Sequence, residues 1–159
     1  MNKLKLYIES TIPSYITARD SRDILHFANQ IITRTFWENE RYRFHLLTSQ
    51  TVIDECERGD SDAAVRRIKL IENLELLEET DQVKELSLLY QQILDIPNRA
   101  KNDSMHLALC VFHKIDILLT WNCTHLGPMA QMKAQAYNER HGLWTPVLVT
   151  PNTIREIIR

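Results

Sequence analysis

Glycine is scarce in this chain, and its scarcity argues against several common functional sites. Only Gly59, Gly127 and Gly142 occur in 159 residues. No G-x-G-x-x-G follows the first apolar segment and no G-x-x-x-x-G-K-[ST] is present, so the usual phosphate-binding loops are missing. A G-x-S-x-G nucleophile elbow is missing as well. We therefore do not expect dinucleotide binding, P-loop chemistry or serine-hydrolase chemistry of the usual kinds.

Cysteines are also few, long apolar runs are lacking and the net charge is small. The three cysteines, Cys56, Cys110 and Cys123, include no C-x-x-C pair, which is typical of a reducing compartment. No apolar run approaches the ~20 residues that span a bilayer, and the first residues do not resemble a signal-peptide core. The net charge of −2 provides no global basic field for nucleic acid. We expect a cytoplasmic protein without a membrane partner.

Apolar segments alternate with helical periodicity along the chain, which predicts one domain over residues 1–159. Short apolar runs predict strands at 4–8, 44–48, 74–77, 117–119 and 147–149. Spacings of three and four predict helices at about 22–40, 49–56, 60–71, 83–94, 103–113 and 128–140, with a last helix opened by Pro151. The pattern indicates an α/β fold with three layers, α/β/α, around a mainly parallel sheet of about five strands.

Polar residues favoured at helix starts predict where several of these helices begin. Asp20 or Ser21 is expected to cap the helix at 22–40, and Ser49 the helix that follows the second strand. Asp60 or Ser61 is expected to cap the helix after Gly59. Asp103 at the start of the helix 103–113 is also open to interpretation as a plain cap.

Acidic residues stand at the edges of separate apolar segments, namely Glu9, Glu55 and Asp103, with Asn122 after the strand 117–119. Ligands of parallel sheets bind at the carboxyl ends of the strands, so these groups are expected to converge. Clustered carboxylates repel one another unless a cation binds them, and Mg²⁺ or Mn²⁺ prefers such oxygen ligands. The alternative interpretation is that each of these acidic residues is a solvated surface group or a helix cap. An aspartyl-phosphate mechanism is disfavoured because Glu9 stands where that chemistry needs an Asp.

A zinc site is the competing interpretation of the histidines and cysteines. Its candidate ligands are His106, Cys110, Cys123 and His125, but closed zinc sites usually show tighter pairing. A buried helix with small polarisable side chains is the favoured interpretation of His106 and Cys110. His125 is expected either to contact substrate or to cap the next helix, and Trp121 is expected to be packed.

Four segments of the chain resemble the PIN domain, and more narrowly the branch close to VapC-type toxins of bacterial toxin–antitoxin pairs. They are Tyr7–Thr11, Ile53–Asp60, Asp103–Ala108 and Leu118–His125, and their order and spacing agree over nearly the whole chain. The third and fourth segments are the most specific.

The resemblance implies a parallel sheet with an acidic pocket and a metal-dependent endoribonuclease that hydrolyses RNA. By resemblance, Glu9, Glu55 and Asp103 are the first, second and third acids and bind Mg²⁺ or Mn²⁺. Asn122 stands where many members have a fourth acid and would be a supporting catalytic group. The neighbouring Ser10, Thr11, Thr120 and His125 are expected to bind the substrate phosphate or a water.

Two departures from the family pattern bear on activity. Glu9 replaces the usual Asp, and Asn122 carries no formal charge, so the pocket would hold three carboxylates and bind metal more weakly. A PIN-like nucleic-acid-binding module with weak or lost catalysis is therefore the alternative function. The resemblance also implies a homodimer and a small antitoxin protein as partners.

Overall fold

A parallel sheet of five strands forms the middle of the molecule. The computed structural model describes residues 2–158, and in this range the strand order is β3-β2-β1-β4-β5 with every pairing parallel. The strands are β1 (Lys5–Ile8), β2 (His45–Ser49), β3 (Glu75–Leu77), β4 (Ile117–Leu119) and β5 (Val147–Val149). All five lie where the apolar runs predict them, and the expected α/β class is confirmed.

The central strand β1 is buried because it has neighbours on both sides and helices above and below. Leu6, Tyr7 and Ile8 are fully buried. Strands of parallel sheets are covered on both faces, so they are apolar over consecutive residues. In the β1–β4 pairing Ile8 lies beside Leu119, and this register brings Glu9 next to Thr120.

Helices make all the crossovers between consecutive strands. Within residues 2–158 they are α1 (Thr11–Thr17), α2 (Ile24–Asn39), α3 (Gln50–Cys56), α4 (Ser61–Ile71), α5 (Asp81–Ile93), α6 (Lys101–Phe112), α7 (Pro128–His141) and α8 (Ile154–Ile157). None of the helices described combines the length and apolar character needed to cross a bilayer.

The direction of the crossovers assigns the helices to two layers. The chain moves outward from β1 to β2 and β3, then returns to β4 and β5 on the other side of β1. Crossovers between parallel strands are right-handed, so the helices before β3 cover one face and those after it cover the other. Accordingly, α1 packs on α2 and α4, whereas α5 packs on α6 and α7. The result agrees with the expected three-layer α/β/α fold.

Polar side chains begin several helices, and two of the expected caps are confirmed. Ser49 accepts the Val52 amide proton at the start of α3, and Asp60 accepts that of Ala63 at the start of α4. The expected cap of α2 is wrong. Asp23 accepts the His26 amide proton there, because Asp20 is instead paired with Arg34 and Ser21 accepts from the Asp23 amide.

Two other predicted helix starts are corrected. Helix α6 begins at Lys101, so Asp103 lies inside its first turn and is not its cap. Helix α8 begins at Ile154, three residues beyond Pro151, because the chain first makes a turn in which Thr150 and Thr153 bond each other.

The return of the chain from β3 to β4 reverses the strand order at the centre of the sheet. Ligands of open α/β sheets bind where the strand order reverses, and here that point lies between β1 and β4. The backbone amide of Glu9 donates to the Leu119 carbonyl at 3.3 Å, so the ends of the two strands stay together.

A buried hydrogen-bond network anchors α7 to the rest of the domain. The Asn138 side chain is fully buried and accepts from the Tyr90 hydroxyl on α5. Its Nδ2 donates to the Trp144 carbonyl and to Thr145 Oγ1, both at 3.1 Å. One side chain therefore joins α5, α7 and the segment leading into β5.

Replacing Asn138 with Ala is expected to lower the free energy of unfolding by about 3 kcal/mol. The change leaves the buried Tyr90 hydroxyl without a partner, which costs about 1–3 kcal/mol, and also removes the bonds to the Trp144 carbonyl and to Thr145. Urea unfolding followed by circular dichroism measures the effect. The control is Gln135→Ala, an exposed position on the same helix. Equal stability of the two variants would contradict the anchoring role.

Candidate acidic site at the carboxyl edge of the sheet

Glu9 follows β1 directly, and its carboxylate is held by hydroxyl groups. The residue is only 2% exposed. Ser10 Oγ donates to Oε1 at 2.9 Å, while Thr11 Oγ1 and Thr120 Oγ1 donate to Oε2 at 2.5 and 2.6 Å. No lysine or arginine among residues 2–158 forms an ion pair with it. Hydroxyl donors thus stabilise this carboxylate without neutralising it.

The three hydroxyls reach Glu9 because a turn and a strand pairing meet there. The Glu9 carbonyl accepts from the Ile12 amide at 3.0 Å, which folds Ser10 and Thr11 back over the carboxylate as α1 begins. Thr120 comes from the neighbouring strand end. Ser10, Thr11 and Thr120 were expected to bind substrate phosphate or water. In this structure their protons go to Glu9.

Glu55 projects from α3 and is held by a buried histidine. Its Oε1 lies 2.7 Å from His106 Nε2, and His106 Nδ1 lies 2.7 Å from the Tyr7 hydroxyl. The Tyr7 hydroxyl also lies 2.8 Å from Ser49 Oγ. His106 is fully buried, whereas a fifth of the Glu55 side chain remains exposed. A continuous chain of hydrogen bonds therefore orients the Glu55 carboxylate from the core outward.

The potential metal-ligand atoms of Glu9, Glu55 and His106 all lie within 4.8 Å of one another. Both nitrogens of His106 are already hydrogen-bonded, so the carboxylate oxygens are the more available donors. Hard divalent cations prefer carboxylate oxygens, and carboxylates that bind metals are themselves oriented by hydrogen bonds. The donor set therefore fits Mg²⁺ or Mn²⁺, with His106 supporting Glu55.

The interaction between Glu55 and His106 shifts the pKa of both groups. Burial opposes ionisation of Glu55, but the hydrogen bond and positive charge of His106 outweigh it and lower the Glu55 pKa, with smaller help from Ser10 and Arg58. Burial likewise opposes protonation of His106, yet Glu55, and then Glu9 and Asp103, raise the His106 pKa overall. The pair is therefore stabilised in its charged form.

Asp103 lies beside this group and not within it. It stands in the first turn of α6, is 8% exposed, and its Oδ2 lies 2.8 Å from His125 Nδ1. Its charge contributes to the raised pKa of His106, one helical turn along. The structure thus brings Glu9 and Glu55 together and ties the third predicted acid to a separate histidine.

Asn122 organises the loop between β4 and α7 that carries His125. The Asn122 amide donates to Thr120 Oγ1 at 2.9 Å, and its side-chain oxygen accepts from the His125 amide at 3.3 Å. The loop closes tightly, because a Cβ on Gly127 would lie 2.3 Å from the Cys123 carbonyl oxygen. Asn122, predicted as a catalytic group, is occupied here in shaping the loop. His125, predicted to contact substrate or cap a helix, bonds Asp103.

The four candidate zinc ligands are not assembled. Cys110 is fully buried in the core and Cys123 is exposed. Over the part of the chain that the structure describes, the one cluster of potential ligands is that of Glu9, Glu55 and His106. Trp121 is packed as expected, with its ring stacked on Tyr15.

His106 is the member of the site that the sequence pattern predicts only as a residue of a buried helix. The sequence does indicate that His106 lies near an acid, because His106 follows Asp103 by three residues and helical side chains at that spacing share a face. Composition could not distinguish a histidine that fills space from one that holds a carboxylate.

No family model matches the chain, and no curated protein matches it significantly.

Replacing Glu55 with Gln is expected to lower the melting temperature most between pH 4.5 and 6.5, the ordinary pKa values of the two groups. The lowered Glu55 pKa means that its contribution is present above pH 4.5 and is lost as pH falls through the folded-state pKa. The raised His106 pKa means that its contribution is present below pH 6.5 and is lost as pH rises through the folded-state pKa.

Thermal unfolding in EDTA, from about pH 3.5 to about pH 9, covers the titration of both groups. Glu57→Gln, an exposed neighbour on the same chain segment, is the matched control. A difference between wild type and Glu55→Gln that stays constant across this range would contradict the charged pair.

Proposed function

We propose that this protein is a Mg²⁺- or Mn²⁺-dependent endoribonuclease of the PIN type. The observation that supports the proposal is the close approach of Glu9 and Glu55 at the carboxyl edge of the sheet, without a lysine or arginine paired to either among residues 2–158. Two carboxylates held together by hydroxyls and an imidazole retain negative charge that a divalent cation would offset. The resemblance of four chain segments to PIN domains supports the same function.

Each acidic side chain has its own orienting partner in this proposal. Hydroxyls hold Glu9, the Tyr7–His106 chain holds Glu55, and His125 holds Asp103. Fixed carboxylates lose little conformational freedom when they bind, and such preorganisation favours catalysis. A divalent ion bound here would supply a more acidic water and would offset charge growing on a phosphodiester.

RNA binding needs local positive charge because the protein is slightly acidic overall. The charge of Arg58 already acts on Glu55 and lowers its pKa. Arg19 and Arg22 are exposed on the segment that follows α1. In this proposal these three residues flank the acidic site and attract the phosphate backbone.

The proposal includes the toxin role in a toxin–antitoxin pair, with a homodimer in the cytoplasm and a small antitoxin protein as inhibitor. The resemblance to VapC-type toxins is its support. Growth arrest of a bacterial host by the wild-type protein, and not by the Asp103→Asn variant, tests this role.

A binding module without turnover is the second candidate. The observation that favours it is the full engagement of Glu9, Asn122 and the surrounding hydroxyls within the protein. Titration calorimetry with Mn²⁺ distinguishes the two candidates. No uptake at millimolar Mn²⁺ together with retained RNA binding supports the module, and saturable uptake lost in Glu9→Gln supports the nuclease.

Asp103→Asn is expected to lower RNA cleavage by at least about 100-fold, because in this proposal the charge of Asp103, beside Glu9 and Glu55, helps to hold the cation, and its loss removes several kcal/mol of transition-state stabilisation. The fold should persist, since Asn fills the same volume and still accepts from His125. Cleavage of a labelled RNA in Mn²⁺, with trace nucleases excluded, gives the measurement.

Asp62→Asn is the matched control for this substitution. Asp62 is also in the first turn of a helix, α4, but is exposed and makes none of the hydrogen bonds that hold Glu9, Glu55 and Asp103. Full activity of Asp103→Asn would remove this residue from the proposed mechanism.

A further inference from the structure

Tyr15 on α1 is clamped between two other aromatic rings beside the acidic site. Its ring is stacked on Trp121, with centroids 5.4 Å apart and planes within 8° of each other. The His26 ring makes a second contact with the Tyr15 ring, with centroids 4.6 Å apart and planes tilted by 54°. Both neighbours restrict how the ring can turn, so the direction of its hydroxyl is set by the fold.

The stacking partner Trp121 is itself tied to the acidic site. Its backbone amide donates to Thr11 Oγ1 at 2.9 Å, and the same Thr11 hydroxyl donates to Glu9. Its indole Nε1 donates to Thr33 Oγ1 at 2.8 Å on α2. Tyr15 is thus connected to the Glu9 carboxylate through two intermediate residues, Trp121 and Thr11.

The Tyr15 hydroxyl is without a protein partner in the part of the chain that the structure describes. No side chain or backbone group in residues 2–158 forms a hydrogen bond with it, and it is not among the enclosed polar atoms that lack one, so it reaches solvent. By contrast, the fully buried hydroxyls of Tyr7 and Tyr90 are both hydrogen-bonded. Because the Tyr15 ring is held in place and its hydroxyl is free to donate, this hydroxyl is suited to contact a substrate.

The electrostatic surroundings of Tyr15 favour a donor and not a phenolate. Burial raises the Tyr15 pKa, and Cys123 and Glu9 raise it further. Tyr15 follows Thr11 by four residues on α1, so its side chain lies on the same helix face as the hydroxyl that donates to Glu9. A phenol that stays protonated can donate to an anion.

We propose that Tyr15 is a substrate-positioning residue that donates a hydrogen bond to a phosphate oxygen of single-stranded RNA next to the acidic site. The inference rests on the proposed function for its choice of substrate. Base stacking on Tyr15 is disfavoured because Trp121 and His26 occupy its ring. A phosphate oxygen is the acceptor that RNA presents at every nucleotide, and tyrosine hydroxyls commonly contact it.

Tyr15→Phe tests the inference because it removes the hydroxyl and keeps the stacked ring. Fluorescence anisotropy of a short labelled single-stranded RNA, in Ca²⁺ buffer with RNA integrity checked on a gel, measures the dissociation constant. We expect this constant to rise about tenfold, the loss of one hydrogen bond to a charged acceptor. In Mn²⁺ turnover the KM should rise by a similar factor with little change in kcat, because the contact is made in ground state and transition state alike.

Tyr42→Phe is the control, since Tyr42 is 61% exposed and lies before β2, at the opposite edge of the sheet. Its RNA affinity should equal that of wild type. The rise for Tyr15→Phe should be the same with a 2′-deoxy oligonucleotide, because the acceptor is a phosphate. A rise with RNA alone would overturn the phosphate assignment.

The outcomes separate this inference from the nuclease proposal. Unchanged affinity and KM in Tyr15→Phe, while wild type cleaves, overturn the role of Tyr15 and leave the nuclease standing. If the wild-type protein binds RNA but does not cleave it, the nuclease proposal is overturned. The dissociation constants of wild type and Tyr15→Phe then test the role of Tyr15 by themselves. Wild type that does not bind the RNA overturns the role of Tyr15. A melting temperature of Tyr15→Phe equal to that of wild type shows that packing is intact.

Discussion

A buried carboxylate that has no basic partner among residues 2–158 is the constraint around which this fold is arranged. Removing a carboxylate from water costs several kcal/mol unless hydrogen bonds replace the lost hydration. Glu9 receives that replacement from hydroxyls on two distant parts of the chain, the turn after β1 and the end of β4. The strand register that places Ile8 beside Leu119 is therefore also what makes the buried charge tolerable.

Much of this arrangement could be predicted from the sequence because it depends on local and periodic properties. Continuous apolar runs mark strands covered on both faces, as at residues 117–119, and Ser49 and Asp60 mark helix starts through their side-chain acceptors. The convergence of Glu9 and Glu55 follows from a general property of parallel sheets, whose carboxyl ends share one edge.

The parts that escaped prediction depend on partners that only the folded chain supplies. Asp23 caps α2 because Arg34 occupies Asp20, a pairing invisible in local sequence. His106 holds Glu55 because α6 passes behind α3, and periodicity alone cannot assign a hydrogen bond to a buried ring. Asn122 orders the loop before α7 by accepting from the His125 amide, whereas the family resemblance placed it at the position of a fourth acid.

The place of β1 between β2 and β4 also bears on biosynthesis. Tyr7 pairs with Leu118, so the central strand lacks one neighbour until the ribosome has released most of the chain. Glu9 acquires its last hydroxyl donor only when Thr120 emerges. Contacts so distant in sequence form late and slowly. A translation product that ends before Thr120 lacks this donor and cannot complete the set of hydroxyls around Glu9.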